Sequence, residues 1–365
     1  MKVLLLTTHL NMGGIGIYTV NLARYLKKEG VDVCIATSGG DLLPRLASSD
    51  IPIKRVDIKT KAEFGLKMWK SLPQLVKLIR EEKIDIVHAQ TRVAQVAASI
   101  LRMLTEVKVV TTCHGFFKHT RLSRKIFPCW GDKAIAISKS VKDHLVADLG
   151  VSSDKVDLVY NGIELEKYVS FYPEKDEDLL KSLSLASSSY IIGTVGRLSP
   201  VKGYRFLITA MRKIADSKAG VKLLMVGDGP EKEALLKQID SLGLQENVVI
   251  TSGNAPLEKY MSLIDIFCMP SVHEGLGLSL MEAMASGRAC VASDIGGLSE
   301  LIVNDFDGVL VKSEDPKAIG EAVLSLLNDD EKRKQFSWNA RVKASKEFSI
   351  EKSVKETIKV YESVL

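Results

Sequence analysis

Apolar strand-like runs alternate with helical patterns along almost the whole chain, in two successive series, and nothing else in the sequence constrains the fold as tightly. In the first series strands are predicted at 2–8, 32–37, 53–57, 84–88, 108–114, 134–137 and 155–160. Helices are predicted from the Gly13-Gly14-Ile15-Gly16 loop to about Lys28, and near 71–82, 91–103 and 139–148. Asn161-Gly162 is a turn signal, and the charged, serine-rich stretch 164–189 after it carries the inter-domain connection. The second series has strands at 190–196, 221–227, 247–252, 265–270, 289–293 and 308–312, with helices at 202–215, 230–242, 256–263 and 278–286. Helices at 316–328, 331–347 and 350–364 close the chain with no strand after the last. The pattern predicts α/β architecture in two Rossmann-like domains, 1–165 and 166–348, each built on a parallel sheet, with a terminal helical segment 349–365.

A length of 365 residues is that of two domains. The net charge of +5 and pI near 8.7 are too mildly basic to indicate nucleic acid. The chain enters a strand directly after Met1-Lys2, with no apolar stretch long enough for a signal peptide or a bilayer span. Five cysteines (34, 113, 129, 268, 290) form no C-x-x-C pair, and the expectation is a reducing, cytoplasmic compartment with no disulfide framework and no zinc site.

Ligands of open parallel sheets bind at the carboxyl ends of strands. The unusual residues cluster there: 9–16, His114-Gly115, Gly196-Arg197, 227–229, 271–277 and 294–297. The stretch S-V-H-E-G-L-G-L-S-L-M-E-A-M-A-S-G at 271–287 reads as a glycine loop followed by a helix that is apolar on nearly every side. Glu274 and Glu282 lie at the two ends of an eight-residue step, at most about 12 Å at helical rise. Between them fall the unpaired N–H groups of the helix's first turn, which attract anions. An acid at each end with an anion site between suits a nucleotide sugar, and it equally suits a buried βα unit with a capping Glu and a partnered Glu. Arg197 and Lys202, five apart beside Gly196, suit a diphosphate leaving group, whose developing charge they would stabilise. His114 is a satisfied structural residue or a ligand contact, with Gly115 permitting close approach. Asp176–Asp178 and Asp305–Asp307 read as solvated loops, not metal cradles.

These residues resemble a family. The Glu274…Glu282 element looks like the hallmark of the retaining group 1 glycosyltransferases (glycosyltransferase family four). Further matches are V-G-R-L-S-P-V-K-G at 195–203, M-V-G-D-G-P at 225–230, V-Y-N-G-I at 159–163, S-D-I-G-G-L-S-E at 293–300 and the N-terminal G-G-I-G. The resemblance implies a GT-B fold, two Rossmann-like doubly wound parallel-sheet domains facing across a cleft, with the final helix crossing back to the first domain. It implies a nucleoside-diphosphate sugar donor held mainly by the second domain, no cofactor and no metal. Glu274 would contact the transferred sugar, Glu282 the ribose hydroxyls, and Arg197 and Lys202 the diphosphate. Gly14 would approach the diphosphate from the first domain, His114 would lie near the sugar, and Gly196 and the 275–278 loop (Gly275, Leu276, Gly277, Leu278) would line the donor. Leu276 stands where an aromatic is common, and Arg288 where a small residue or Pro is common.

The acceptor expected from the resemblance is a glycan or a lipid-linked sugar. Two first-domain stretches mix cations with large apolar groups. One is 59–77, with Lys59, Lys61, Lys67 and Lys70 beside Phe64, Met68 and Trp69; the other is 116–130, with Lys118, Arg121, Arg124 and Lys125 among aromatics. Of these, 59–70 and 116–130 are candidates for peripheral contact with an anionic membrane surface at the inner leaflet, while the part after Pro73 reads as a helix packed on the sheet with its lysines solvated. A nucleotide-sugar epimerase and a non-catalytic nucleotide-sugar binder of the same architecture remain alternatives.

Overall fold

The computed structural model describes residues 1–60, 62–117, 127–168, 175–186 and 189–365. The chain divides into two units, Met1–Gly162 with Ile350–Leu365, and Ile163–Ser349. The first change of unit thus falls at 162, against the 165 read from sequence.

In the first unit seven parallel strands, β1 Lys2–Leu6, β2 Asp32–Thr37, β3 Ile53–Arg55, β4 Ile86–Ala89, β5 Lys108–Cys113, β6 Lys133–Ala136 and β7 Val156–Leu158, lie in the order β3-β2-β1-β4-β5-β6-β7. Both faces are covered, which is why the strands read as unbroken apolar runs. Along β1, Val3 and Leu5 join one core with helix α1 (Gly14–Lys28), while Leu4 and Leu6 join the opposite core with α2 (Leu66–Glu81) and α3 (Arg92–Thr105). The terminal helix Ile350–Glu362 belongs to the first of these cores through Ile350, Val354, Val360 and Tyr361. Its anchor is polar. His88 of β4, fully buried, has Nδ1 2.7 Å from the Tyr361 hydroxyl and Nε2 2.7 Å from the Thr112 hydroxyl. Burial pushes the His88 ring down to about 3, so it is neutral and each nitrogen has a partner.

The second unit has six parallel strands, β8 Tyr190–Val195, β9 Val221–Val226, β10 Val248–Thr251, β11 Ile266–Met269, β12 Ala289–Ser293 and β13 Val309–Val311, in the order β10-β9-β8-β11-β12-β13. The helices that cover it include Tyr204–Ser217, Lys232–Ser241, Leu257–Leu263, Leu278–Ala285, Pro316–Asn328 and Asp330–Glu347.

Three local readings change. The stretch read as an inter-domain connection holds a helix, Glu177–Ser182, because Asp176 caps it by accepting the Leu179 N–H at 3.0 Å. Helix α2 begins at Leu66 and runs through Pro73, with Met68 of its first turn fully buried in the core. Met68 is therefore not part of an outward face. Phe64, Leu66, Trp69 and Phe127 are exposed, and Phe64 and Phe127 meet edge to face at 5.7 Å. Lys61, Lys118, Arg121, Arg124 and Lys125 lie outside the described residues. Finally, Asp307 is buried, accepting the Val303 N–H at 2.7 Å and lying 3.5 Å from Lys343 Nζ, so it braces a turn and is not solvated.

Tyr361→Phe removes the hydroxyl at His88 Nδ1 and leaves that buried ring nitrogen without a partner among the described residues. The expected loss is about 1–3 kcal/mol, read as a lower denaturant midpoint at unchanged slope. An unchanged midpoint would show that the terminal helix is held by its apolar face alone.

Candidate functional site

Strand order reverses between β8 and β11 in the second sheet, and a parallel sheet opens a crevice at such a reversal. The loop after β8 carries Gly196, Arg197 and Lys202; the loop after β11 carries Ser271, Glu274 and 275–277. The two loops are stitched together. The Val201 carbonyl accepts the N–H groups of Val272 (2.8 Å) and His273 (3.3 Å). Gly203, at φ +65, sits so close to Pro270 that a Cβ would fall 2.0 Å from its carbonyl oxygen, which only glycine permits. Gly277, at φ +106, turns the chain into the helix Leu278–Ala285, and a Cβ there would lie 2.6 Å from Leu298.

This framework brings Lys202 Nζ to 2.5 Å from Glu274 Oε2, with the side chains 20% and 17% exposed. Ser271 Oγ donates to the same oxygen at 3.4 Å. Arg197 is exposed and forms no ion pair among the described residues. Glu282 is half-buried on the helix, less enclosed than its apolar neighbours suggest. The hydroxyl of buried Tyr168 faces it, and burial first and the Glu282 charge second push that phenol well above its ordinary range. Gly275 and Gly277 are buried, and so is the Leu276 side chain at 1% exposure, so this part of the loop offers a ligand main chain only. Leu278 is half-buried at the helix start. Arg288, the other departure from the family pattern, is buried at the amino end of β12. It donates to the carbonyls of Ser286 (3.0 Å) and Ile264 (2.9 Å), at the opposite edge of the sheet from Glu274.

In the first sheet the order reverses between β1 and β4. Gly14 is the exposed first residue of α1, in the loop-helix that follows β1. The close-packed glycine of that loop is Gly16, whose Cβ position lies 2.2 Å from the Asn11 carbonyl oxygen. His114 follows β5, half-buried, with its ring edge on Tyr18 at 4.9 Å and Nε2 3.0 Å from Gln90 Oε1. Burial pushes its pKa down to about 3.

The structure therefore groups Gly196, Arg197, Lys202, Glu274–Leu278 and Glu282 on one unit, and Gly14 and His114 on the other. Sequence reasoning missed Gln90 and Tyr168, and it placed Ser271 in the 271–277 cluster without giving it a role. Gln90 stands just past the end of β4, beside the reversal, and that placement was a usable signal. Tyr168 was hidden by being read as linker.

Two family models match the chain: "Glycosyltransferase Family 4" over residues 12–167 and "Glycosyl transferases group 1" over residues 175–343. A UDP-Gal:alpha-D-GlcNAc-diphosphoundecaprenol alpha-1,3-galactosyltransferase of Escherichia coli is 29% identical over 81% of this chain and 80% of its own length. A capsular polysaccharide biosynthesis glycosyltransferase of Staphylococcus aureus is 28% identical over 94% and 92%. The crystal structure of a glycosyltransferase from Rickettsia africae ESF-5 superposes with a TM-score of 0.87 at 24% identity, covering 100% of this chain and 98% of that one.

Gln90 meets the His114 ring at Nε2. A depressed histidine pKa contributes stability above the ordinary value near 6.5, lost as pH falls from there towards about 3. Gln90→Glu places a carboxylate at Nε2, which favours the imidazolium, so the His114 titration followed by NMR should move up by about 1–3 units. The acid-side loss of thermal stability should shrink with it. A titration that stays near 3 would mean that burial alone governs the ring.

Proposed function

Because the chain belongs to the group 1 glycosyltransferases and has their GT-B fold, we propose that it is a retaining, metal-independent hexosyltransferase. It moves a sugar from a nucleoside-diphosphate donor to a glycan or lipid-linked acceptor in cell-envelope polysaccharide or glycolipid synthesis. The observation that carries this reading is the pairing of Lys202 with Glu274 across the reversal of the second sheet, with Arg197 on the same loop as the lysine. The named activities of the Escherichia coli and Staphylococcus aureus relatives support the acceptor class, and the former makes UDP the first nucleoside diphosphate to try.

In this reading Arg197 and Lys202 hold the diphosphate and stabilise the charge that gathers on it as the glycosidic bond breaks. The two cations of this loop perform the task given elsewhere to a divalent metal. Glu274 accepts hydrogen bonds from the sugar hydroxyls, and Glu282, faced by Tyr168, from the ribose hydroxyls. Main-chain groups of Gly196 and of Gly275, Leu276, Gly277 and Leu278 line the phosphates. Gly14 and His114 are assigned donor contacts by the family resemblance, and the neutral His114 ring then acts as a hydrogen-bonding group. The acceptor hydroxyl attacks the anomeric carbon on the face the diphosphate leaves, the C–O bond to phosphate breaks, and the hydroxyl proton passes to the departing phosphate oxygen.

The proposed location is cytoplasmic, with peripheral attachment to an anionic inner leaflet. Phe64, Trp69 and Phe127 are exposed, as are Lys67, which pairs with Asp57 at 3.1 Å, and Lys70. Arg92 fixes that surface, bonding the carbonyls of Phe127 (2.6 Å) and Pro128 (2.7 Å) and the Glu63 carboxylate (3.3 Å).

Calorimetry with UDP tests the roles. Glu282→Ala should weaken UDP binding, whereas Glu274→Gln should lower turnover on the order of a hundredfold without weakening it. Equal losses of UDP affinity in the two variants would overturn the assignment, and abolition of wild-type turnover by EDTA with rescue by manganese would overturn the metal-free mechanism. Co-sedimentation should show binding to anionic vesicles that fades with salt and is reduced in Lys67→Glu/Lys70→Glu/Trp69→Ala. Binding indifferent to lipid charge would rule out the attachment.

A further inference from the structure

Lys202 and Glu274 are assigned to opposite ends of the donor, yet in the ligand-free site they hold each other. We propose that this pair makes the site discriminate between intact nucleotide sugar and the nucleoside diphosphate left after transfer, so that its re-formation helps expel the product. The inference rests on the reading of Lys202 as a diphosphate ligand and Glu274 as a sugar ligand.

The geometry gives the pair its weight. Both side chains are mostly enclosed, and their loops are fixed to one another through the Val201 carbonyl and the close approach at Gly203. The two charges are thus held near each other, unlike a pair on mobile surface side chains, where attraction is largely offset by lost freedom and screening. Among the described residues, the Glu274 carboxylate has one other hydrogen-bond partner, the Ser271 hydroxyl at 3.4 Å.

Two ligands now differ in what they return. A bare diphosphate draws Lys202 away and offers Glu274 nothing but another negative charge, leaving a half-buried carboxylate with one weak hydrogen bond. An intact donor also draws Lys202 away, but its sugar hydroxyls donate to Glu274 in place of the ammonium. Before transfer both halves of the broken pair are satisfied; after transfer one is stranded. Lys202 and Glu274 can then restore each other only when the diphosphate leaves. The pair therefore acts against the product and not against the substrate.

The experiment measures UDP affinity and dissociation rate in wild type, Glu274→Gln and Lys202→Met, with thermal melts confirming folding. Glu274→Gln removes the competing charge at constant shape. It should bind UDP more tightly than wild type, on the order of fivefold, through slower release, and the gain should shrink as salt is raised. Lys202→Met should bind UDP more weakly than wild type. If Lys202→Met loses affinity while Glu274→Gln binds UDP equally or less well, the lysine holds the diphosphate but the pair does not oppose it, and the inference falls alone. If Lys202→Met binds UDP as wild type does, the diphosphate assignment falls and the inference with it. Should Glu274→Gln melt well below wild type, Glu274→Ala replaces it, with the same expected direction.

Discussion

The second unit's site depends on two loops meeting where the strand order reverses, and on the Val201 carbonyl that joins them. A parallel sheet sends neighbouring connections to opposite faces at that point, leaving a gap between the loops after β8 and β11. Here the gap is bridged twice, by the main-chain bonds at Val201 and by the side chains of Lys202 and Glu274. The glycines follow from the closeness this demands. A side chain at Gly203 would strike Pro270, and one at Gly277 would strike Leu298. Gly203 thus gives the clearance that lets the two loops meet, while Gly277 clears Leu298 where the chain turns into the following helix.

The two units handle charge in different ways. The second keeps permanent charges at its sheet edge and compensates them with each other. The first keeps polar groups that burial holds neutral. His88 and His114 are both pushed down to about 3, and Tyr18, beside His114, is pushed up to about 12 by burial. Near neutral pH these groups can donate and accept hydrogen bonds but carry no charge. In the proposed function the charge that stabilises a leaving diphosphate is therefore assigned to Arg197 and Lys202 of the second unit, and the neutral groups of the first are left to hydrogen bonding.

Much of this was legible in the sequence. Alternating apolar runs locate the strands to within a few residues, because strands buried on both faces are mostly apolar. The strand-end clusters locate Glu274, Lys202, Arg197 and His114 because a parallel sheet places all carboxyl ends on one edge. The failures have physical causes as well. Met68 lies among lysines and reads as amphipathic surface, but the helix starts earlier than its pattern suggests and turns that one residue inward. The 164–189 stretch reads as a connection because it is charged, yet Asp176 is a helix cap and Tyr168 faces Glu282. Gln90 escaped notice because a lone amide has no motif; only the strand order shows that it stands beside a crevice. The pairing of Lys202 with Glu274 was out of reach for the same reason, since 72 residues separate them.

That pairing also gives the two cations of the loop after β8 unequal tasks. Arg197 is exposed with no ion pair among the described residues, so a diphosphate can meet it at no cost beyond desolvation. Lys202 is already paired with Glu274, so a ligand competes with that carboxylate for it. In the proposed function a ligand would therefore be caught by the arginine first and bound fully only if it can repay the carboxylate. The order puts recognition of charge before recognition of the sugar. Long-range attraction then speeds encounter with any nucleotide, while selection is left to the enclosed contact, where a missing hydroxyl is felt most strongly.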